Sequence, residues 1–252
     1  MRRVVVKIGT KVLSRQDGTL DVEFLADLVG QVVRLRKQGI QVVLVTSGAV
    51  GAGKSLISLQ DIKSDIVQKQ VFAAVGQVKL MNTYSELFGA HGYHCAQVLA
   101  TKEDFRDEQH YRNMQNCFEG LLLDNVVPVV NENDVVATTE LLFTDNDELA
   151  GLVAGQLKAD SLVILTGTEG ILDNAGATVA EVNNSNREVV AGYINPDKST
   201  NGRGGMASKF AVAKELSQRG ISVHIVNGKN ENILQAVVDG RGAGTHFAPQ
   251  KS

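Results

Sequence analysis

The sequence predicts an α/β protein: a three-layer α/β/α sandwich around a mostly parallel, open central sheet. Three observations carry that prediction. Unbroken apolar runs recur at Val4 to Val6, Val42 to Val45, Val126 to Val130 and Leu162 to Leu165, as strands buried on both faces require. Between them lie segments with apolar residues at helical spacing, and strands that alternate with helices pair in parallel. Polar residues collect where the apolar runs end, the edge at which open α/β sheets hold ligands.

Arg3 to Ile8 reads as a first strand running into a turn at Gly9-Thr10-Lys11. A helix follows, with Asp21 as its cap, Val22, Leu25, Leu28, Val32 and Leu35 on one face, and Gly39 as its stop. Gln41 to Val45 is the second strand, ending in Thr46-Ser47-Gly48, and a long helix is predicted from about Asp65 to Phe88. Cys95 to Leu99 is a third strand, Arg106 to Leu123 a helix, and Val126 to Val130 a buried strand. That strand empties into NENDVVATTELLFTDND, Asn131 to Asp147. Its middle, Val135 to Phe143, is β-prone enough for a hairpin. Asp147 to Lys158 is a helix rich in small residues, suited to close packing on the sheet. Ser161 to Leu165 and Ile221 to Val226 are further strands, Met206 to Arg219 a helix stopped by Gly220, and Glu231 to Val238 a short helix. Leu172 to Gly205 is the least regular stretch, read as a functional flap with one short hairpin over Ala177 to Val190.

The bulk properties narrow the function classes. Over 252 residues, 43% are apolar and 21% charged, which suits a folded domain, and the chain is read as a single domain over 1–252. A net charge of −3 gives no basic footprint for nucleic acid. No apolar run approaches the roughly 20 residues of a membrane span, and Lys7 interrupts the amino-terminal one too early for a signal peptide. Cys95 and Cys117 read as reduced core residues, which suits the cytoplasm.

Several constellations point to an anion. Lys7 lies inside a buried strand, where a lysine is costly unless it faces a negative charge. Gly202 to Lys209, GRGGMASK, opens a helix with glycine amides, an anion-binding arrangement. Lys209 in the first turn opposes the helix dipole. Asn146 and Asp147 stand at a helix start, where Asp147 could be a simple cap. Gly48 to Ser55, GAVGAGKS, matches the P-loop string G-x-x-x-x-G-K-[ST] after a strand. Against that reading, Leu56 to Ser64 is broken and polar, and no strand ends in a magnesium-holding aspartate. Lysines and glycine amides facing carboxylates and amides form a phosphoryl-transfer layout without an obvious general base. A carboxylate nucleophile, ionised at pH 7 with a pKa of about 4.3, needs none.

These motifs resemble the amino acid kinase family. VVVKIGTKVL from Val4, VTSGAV from Val45, KQVFAAVGQ from Lys69, PVVNENDVVAT from Pro128, DNDELA from Asp145, GGMASK from Gly204 and GTHF from Gly244 occur in the family's order along the whole chain. The NEND block followed by DND is similar to the branch that phosphorylates the γ-carboxylate of L-glutamate with ATP and magnesium, the first step of proline synthesis. The resemblance implies the amino acid kinase fold, with Lys7 and Lys209 on the transferring phosphoryl group and Asp147 organising them. It implies Ser47, Gly48, Asp134 and Asn146 around glutamate, and Gly9, Thr166, Gly167, Arg203, Gly204, Gly205 and Met206 around the nucleotide, with no metal-ligating residues. It makes GAVGAGKS a coincidence. It further implies a homo-oligomer, dimer or tetramer, and proline as a feedback inhibitor. The chain is read as lacking the carboxyl-terminal RNA-binding-like module that many relatives carry. Gly167 stands where the family has an aspartate, Arg203 where a threonine is common, and the run from Gly170 lacks the usual proline.

Overall fold

The computed structural model describes residues 2–137, 143, 145–194, 205–242 and 244–250. Eight strands form one sheet: β1 (Arg3–Ile8), β2 (Gln41–Val45), β3 (Cys95–Ala100), β4 (Val127–Glu132), β5 (Ser161–Thr166), β6 (Glu181–Val182), β7 (Ser222–Asn227) and β8 (Thr245–Phe247). Their order is β3-β4-β2-β1-β5-β7-β8-β6, and every pairing is parallel except β7 with β8.

The helices are α1 (Thr10–Leu13), α2 (Val22–Lys37), α3 (Ala49–Lys54), α4 (Asp65–Gly89), α5 (Glu103–Arg106), α6 (Glu108–Leu123), α7 (Asn146–Gln156), α8 (Arg187–Tyr193), α9 (Met206–Gln218) and α10 (Ile233–Val238). Strand alternation divides the core in two. Val4, Val6 and Ile8 of β1 pack with α2, α4 and α10 on one face. Val5 faces the other side, with α7 and α9. Lys7 shares the parity of Val5, so β1 aims it at the layer of α7 and α9.

The expected elements form with informative differences. Asp21 caps α2 by accepting from the Phe24 amide, and Gly39 and Gly220 take the left-handed backbone that ends their helices. The helix predicted from Arg106 is broken: Asp107 accepts from the His110 amide and starts α6 anew. The hairpin expected over Ala177 to Val190 does not form. A bridge joins Leu172 to Thr178, β6 pairs with β8, and α8 occupies the rest. β8 itself, short and flanked by glycine, was not legible as a strand. The hairpin expected over Val135 to Phe143 begins instead as a turn at 134–136, and 138–142 lie outside the described residues. Cys117 is exposed rather than in the core, because the polar face of α6 carries it; Cys95 is half-buried. No described helix is long and apolar enough to cross a membrane.

Candidate active site

β4, β2, β1, β5 and β7 are neighbours in the sheet, and all five end on the same edge. From β1 the chain winds towards β2, whereas β5 lies on β1's other side, so the crevice over β1 and β5 is a topological switch point. The chains approach closely there. The Gly9 amide donates to the Leu165 carbonyl at 3.1 Å, and a β-carbon at residue 9 would stand 2.9 Å from that oxygen. A cavity of about 1310 Å³ opens over this edge. That exceeds the roughly 300–1,000 Å³ of a typical single-ligand pocket, so two substrates fit side by side.

At its floor stand three charges. Lys7 Nζ lies 2.7 Å from Asp147 Oδ1, and Lys209 Nζ lies 2.8 Å from Asp147 Oδ2. Asp147 is fully buried, Lys7 is 5% exposed and Lys209 6%. One carboxylate thus faces two ammonium groups, and the charge of the nearby Asp145 carboxylate also acts on Lys7. Burial pushes the Lys7 ammonium below the ordinary lysine value, Asp147 opposes that, and the charge of Lys209 adds to it.

Asp147 is free for this role because it is not the helix cap. Asp145 caps α7, its Oδ1 accepting from the amides of Asp147 and Glu148 at 2.8 and 3.0 Å. The cap alternative for Asp147 is therefore overturned by the residue two positions earlier. Asp145 Oδ2 is buried at the cavity with no hydrogen-bond partner among the described residues. Small residues let α7 lie close to α9: a β-carbon at Gly151 would meet Val212 at 2.8 Å.

A polar group lies beside the charges. Ser47 ends the turn after β2, and Gly48 follows with φ of 95°, the left-handed region open to glycine. Asn146 Nδ2 donates to the Thr46 carbonyl at 2.6 Å and to Ser47 Oγ at 2.8 Å. Asp134 lines the cavity and pairs with Lys69 of α4 at 2.6 Å. Gln70 holds the same turn through the Val135 carbonyl at 2.7 Å. Glu132 also lines the cavity, and its Oε1 accepts from the Phe143 amide at 2.9 Å.

On the opposite side, Thr166, Gly167, Gly205 and Met206 line the cavity, together with Lys11 and Lys229. A side chain at 167 would meet nothing within 4 Å, so packing does not impose the glycine. Glu169 accepts instead from Asn227 and Asn230, at 2.7 and 2.9 Å. Arg203 and Gly204 lie outside the described residues.

The P-loop reading of Gly48 to Ser55 is overturned. From Ala49 to Lys54 the segment is helix α3, not a phosphate-cradling loop, and its Gly53 serves packing. A β-carbon at Gly53 would collide with the Phe72 backbone, and one at Gly76 with Ala49 and Gly53. Lys54 is exposed, 5.8 Å over the Phe72 ring, and Ser55 Oγ donates to the Ala52 carbonyl at 2.7 Å.

Sequence reasoning missed Lys69, Gln77, Lys229 and Asp145 as parts of the site. The run KQVFAAVGQ held a signal for the first two, since Lys69, Gln70 and Gln77 all reach the Asn131 to Val135 turn or its neighbours from one helix.

The comparisons agree with this geometry. Residues 2–227 match the model of the amino acid kinase family. The chain is 48% identical over 252 residues to a glutamate 5-kinase of Chlorobaculum tepidum, covering 99% of this chain and 70% of that protein. It is 45% identical to one of Bacteroides thetaiotaomicron, covering 92% and 65%. It is 36% identical to one of Clostridium acetobutylicum, covering 99% and 96%. Among solved structures, a carbamate kinase from Giardia lamblia bound to AMP-PNP superposes with a TM-score of 0.69 at 18% identity, covering 98% of both chains. A UMP kinase from Bacillus anthracis gives 0.65 at 12%, covering 99% and 97%. With its fold, its lysine pair and its full run of motifs in place, the chain belongs to the amino acid kinase family.

Proposed function

We propose that this protein is a glutamate 5-kinase: it transfers the γ-phosphoryl group of ATP to the γ-carboxylate of L-glutamate, the first step of proline synthesis. The observation that carries this reading is the convergence of Lys7 and Lys209 on buried Asp147, next to the Ser47, Asn146 and Asp134 group. The likeness to glutamate 5-kinases over nearly the whole chain supports the choice of substrate.

A γ-carboxylate oxygen attacks the γ-phosphorus, a carboxyl–phosphate bond forms, and the bond to the bridging oxygen breaks with its electron pair leaving on ADP. The nucleophile is already ionised, so no proton has to be removed. Lys7 and Lys209 stabilise the charge spread over the transferred group, and Asp147 holds both in place. Asp134 and Asn146 take the ammonium end of glutamate, Ser47 and the Gly48 turn its carboxylate end. Gly9, Thr166, Gly167, Arg203, Gly204, Gly205 and Met206 face the nucleotide. Magnesium held by the phosphates of ATP would screen their charge. The unpartnered Asp145 Oδ2 is the buried oxygen suited to face it, directly or through water. We further propose a cytoplasmic homo-oligomer inhibited by proline.

The test is a hydroxylamine trap. Protein, ATP and magnesium should give the hydroxamate with L-glutamate and little with L-aspartate or N-acetyl-L-glutamate. Product from either of those, and none from glutamate, contradicts the reading. Asp134→Asn should raise the KM for glutamate about tenfold or more, the scale of a lost hydrogen bond to a charged group, and leave that for ATP nearly unchanged.

A further inference from the structure

A chain of amides, buried at Gln77 and Asn131, runs from exposed Gln97 to the proposed substrate group. Gln77 Nε2 donates to Gln97 Oε1 at 3.0 Å, and Asn131 Nδ2 donates to Gln77 Oε1 at 3.0 Å. Asn146 Nδ2 reaches Asn131 Oδ1 at 3.2 Å. Two backbone groups fix the direction of the chain. The Thr46 carbonyl can only accept, so the Asn146 atom 2.6 Å from it is the amide nitrogen. The Glu132 amide can only donate, so the Asn131 atom 2.9 Å from it is the oxygen. Asn131 must then turn its own nitrogen to Gln77, which must answer with its oxygen. Gln77 and Asn131 are 9% and 3% exposed, so water does not substitute easily for a lost partner.

The consequence appears at the cavity. Asn146 spends its nitrogen on Thr46, Ser47 and Asn131, and its Oδ1 is the atom left for a ligand. Beside it, Asp134 also offers acceptors only. Ser47 Oγ accepts from Asn146 and keeps its own hydrogen to donate.

We infer that Gln77, through Asn131, is a positioning residue that locks Asn146 with its oxygen towards the substrate, and so makes the enzyme select an acceptor acid carrying an ammonium group. This rests on the proposed glutamate kinase reading. If Asn131 loses the Gln77 oxygen, its buried amide nitrogen is left without that partner, and Asn131 shifts towards a new one at the expense of the 3.2 Å bond its Oδ1 accepts from Asn146. The lock on Asn146 then loosens, without any change at Lys7, Lys209 or the nucleotide side.

The test measures the KM for L-glutamate, the Ki of glutarate (the same diacid without its amine) as a competitor, and the KM for ATP. Three proteins are compared: the wild type, Gln77→Met and Gln77→Glu. Gln77→Met should raise the glutamate KM about tenfold, with glutarate Ki, ATP KM and kcat each moving less than about threefold. Gln77→Glu keeps an acceptor for Asn131, and exposed Gln97 can turn its nitrogen to meet the new carboxylate. It should therefore restore the glutamate preference. Equal changes for glutamate and glutarate, or an unchanged KM in a folded Gln77→Met protein, overturn the inference. If Gln77→Met does not fold, a Gln77→Glu protein that binds glutamate no better than glutarate overturns it equally. A wild type inactive on glutamate overturns the functional reading and this inference with it, whereas an active wild type with either failed variant overturns the inference alone.

Discussion

Lys7 precedes a glycine-bearing turn and Lys54 follows one, and the two lysines sit in opposite surroundings. Lys54 completes a phosphate-binding string, yet it is exposed over the Phe72 ring, at the end of a helix whose Gly53 packs against α4. Lys7 belongs to no such string. It sits 5% exposed in a central strand, 2.7 Å from a carboxylate that also holds Lys209, 202 positions further along the chain. The difference is tertiary convergence. A burial cost of this size is sustained only by charges that meet from three separate elements, and a local string records nothing of that meeting.

The largest expected effect breaks the convergence itself. Asp147→Asn leaves two buried ammonium groups facing an amide, and should cost about 3–5 kcal/mol of stability as well as most of the turnover, read by denaturant melts and kcat. Only a small change in either would make the cluster an ordinary surface feature, no different from Lys54.

A pH profile sharpens the same contrast. Burial lowers the Lys7 pKa below its ordinary value of 10.5. Between that lowered pKa and the ordinary one, the unfolded chain binds more protons than the folded one, so this group makes stability rise with pH across that window. The proposed mechanism needs the charged form, so kcat/KM should fall through the lowered pKa of the free enzyme, with an alkaline limb below 10.5. A limb at or above the ordinary value would indicate that Lys7 is not the titrating group.

A smaller effect addresses the other lysine. Gly53→Ala forces a β-carbon into the Phe72 backbone and should cost about 1–3 kcal/mol of stability, with the KM for ATP nearly unchanged. A selective loss of ATP affinity would revive the phosphate-loop reading.

Much of this was legible beforehand, for physical reasons. Doubly buried parallel strands announce themselves as unbroken apolar runs, so β1, β2, β4 and β5 were readable to within a residue or two. Lys7 stood out because a lysine in such a run needs an explanation. β8 was not readable: three residues beside a glycine carry no periodicity, and their pairing with β7 and β6 is set by tertiary contact. Asp145 was hidden by its neighbour, since either aspartate of the DND triplet could have capped α7. Lys69 and Gln77 were hidden because their roles depend on α4 lying over the turn after β4, and neither composition nor spacing states that.

The proposed mechanism puts Lys7, and not Lys54, on the transferred phosphoryl group. The most direct measurement is the rate of glutamyl hydroxamate formation by Lys7→Ala and Lys54→Ala side by side at saturating ATP and glutamate. Lys7→Ala should lose about a hundredfold or more, the scale of a transition-state donor worth roughly 3 kcal/mol, with Lys54→Ala within about twofold of wild type. A near-normal rate for Lys7→Ala, or a collapse in Lys54→Ala, would contradict it.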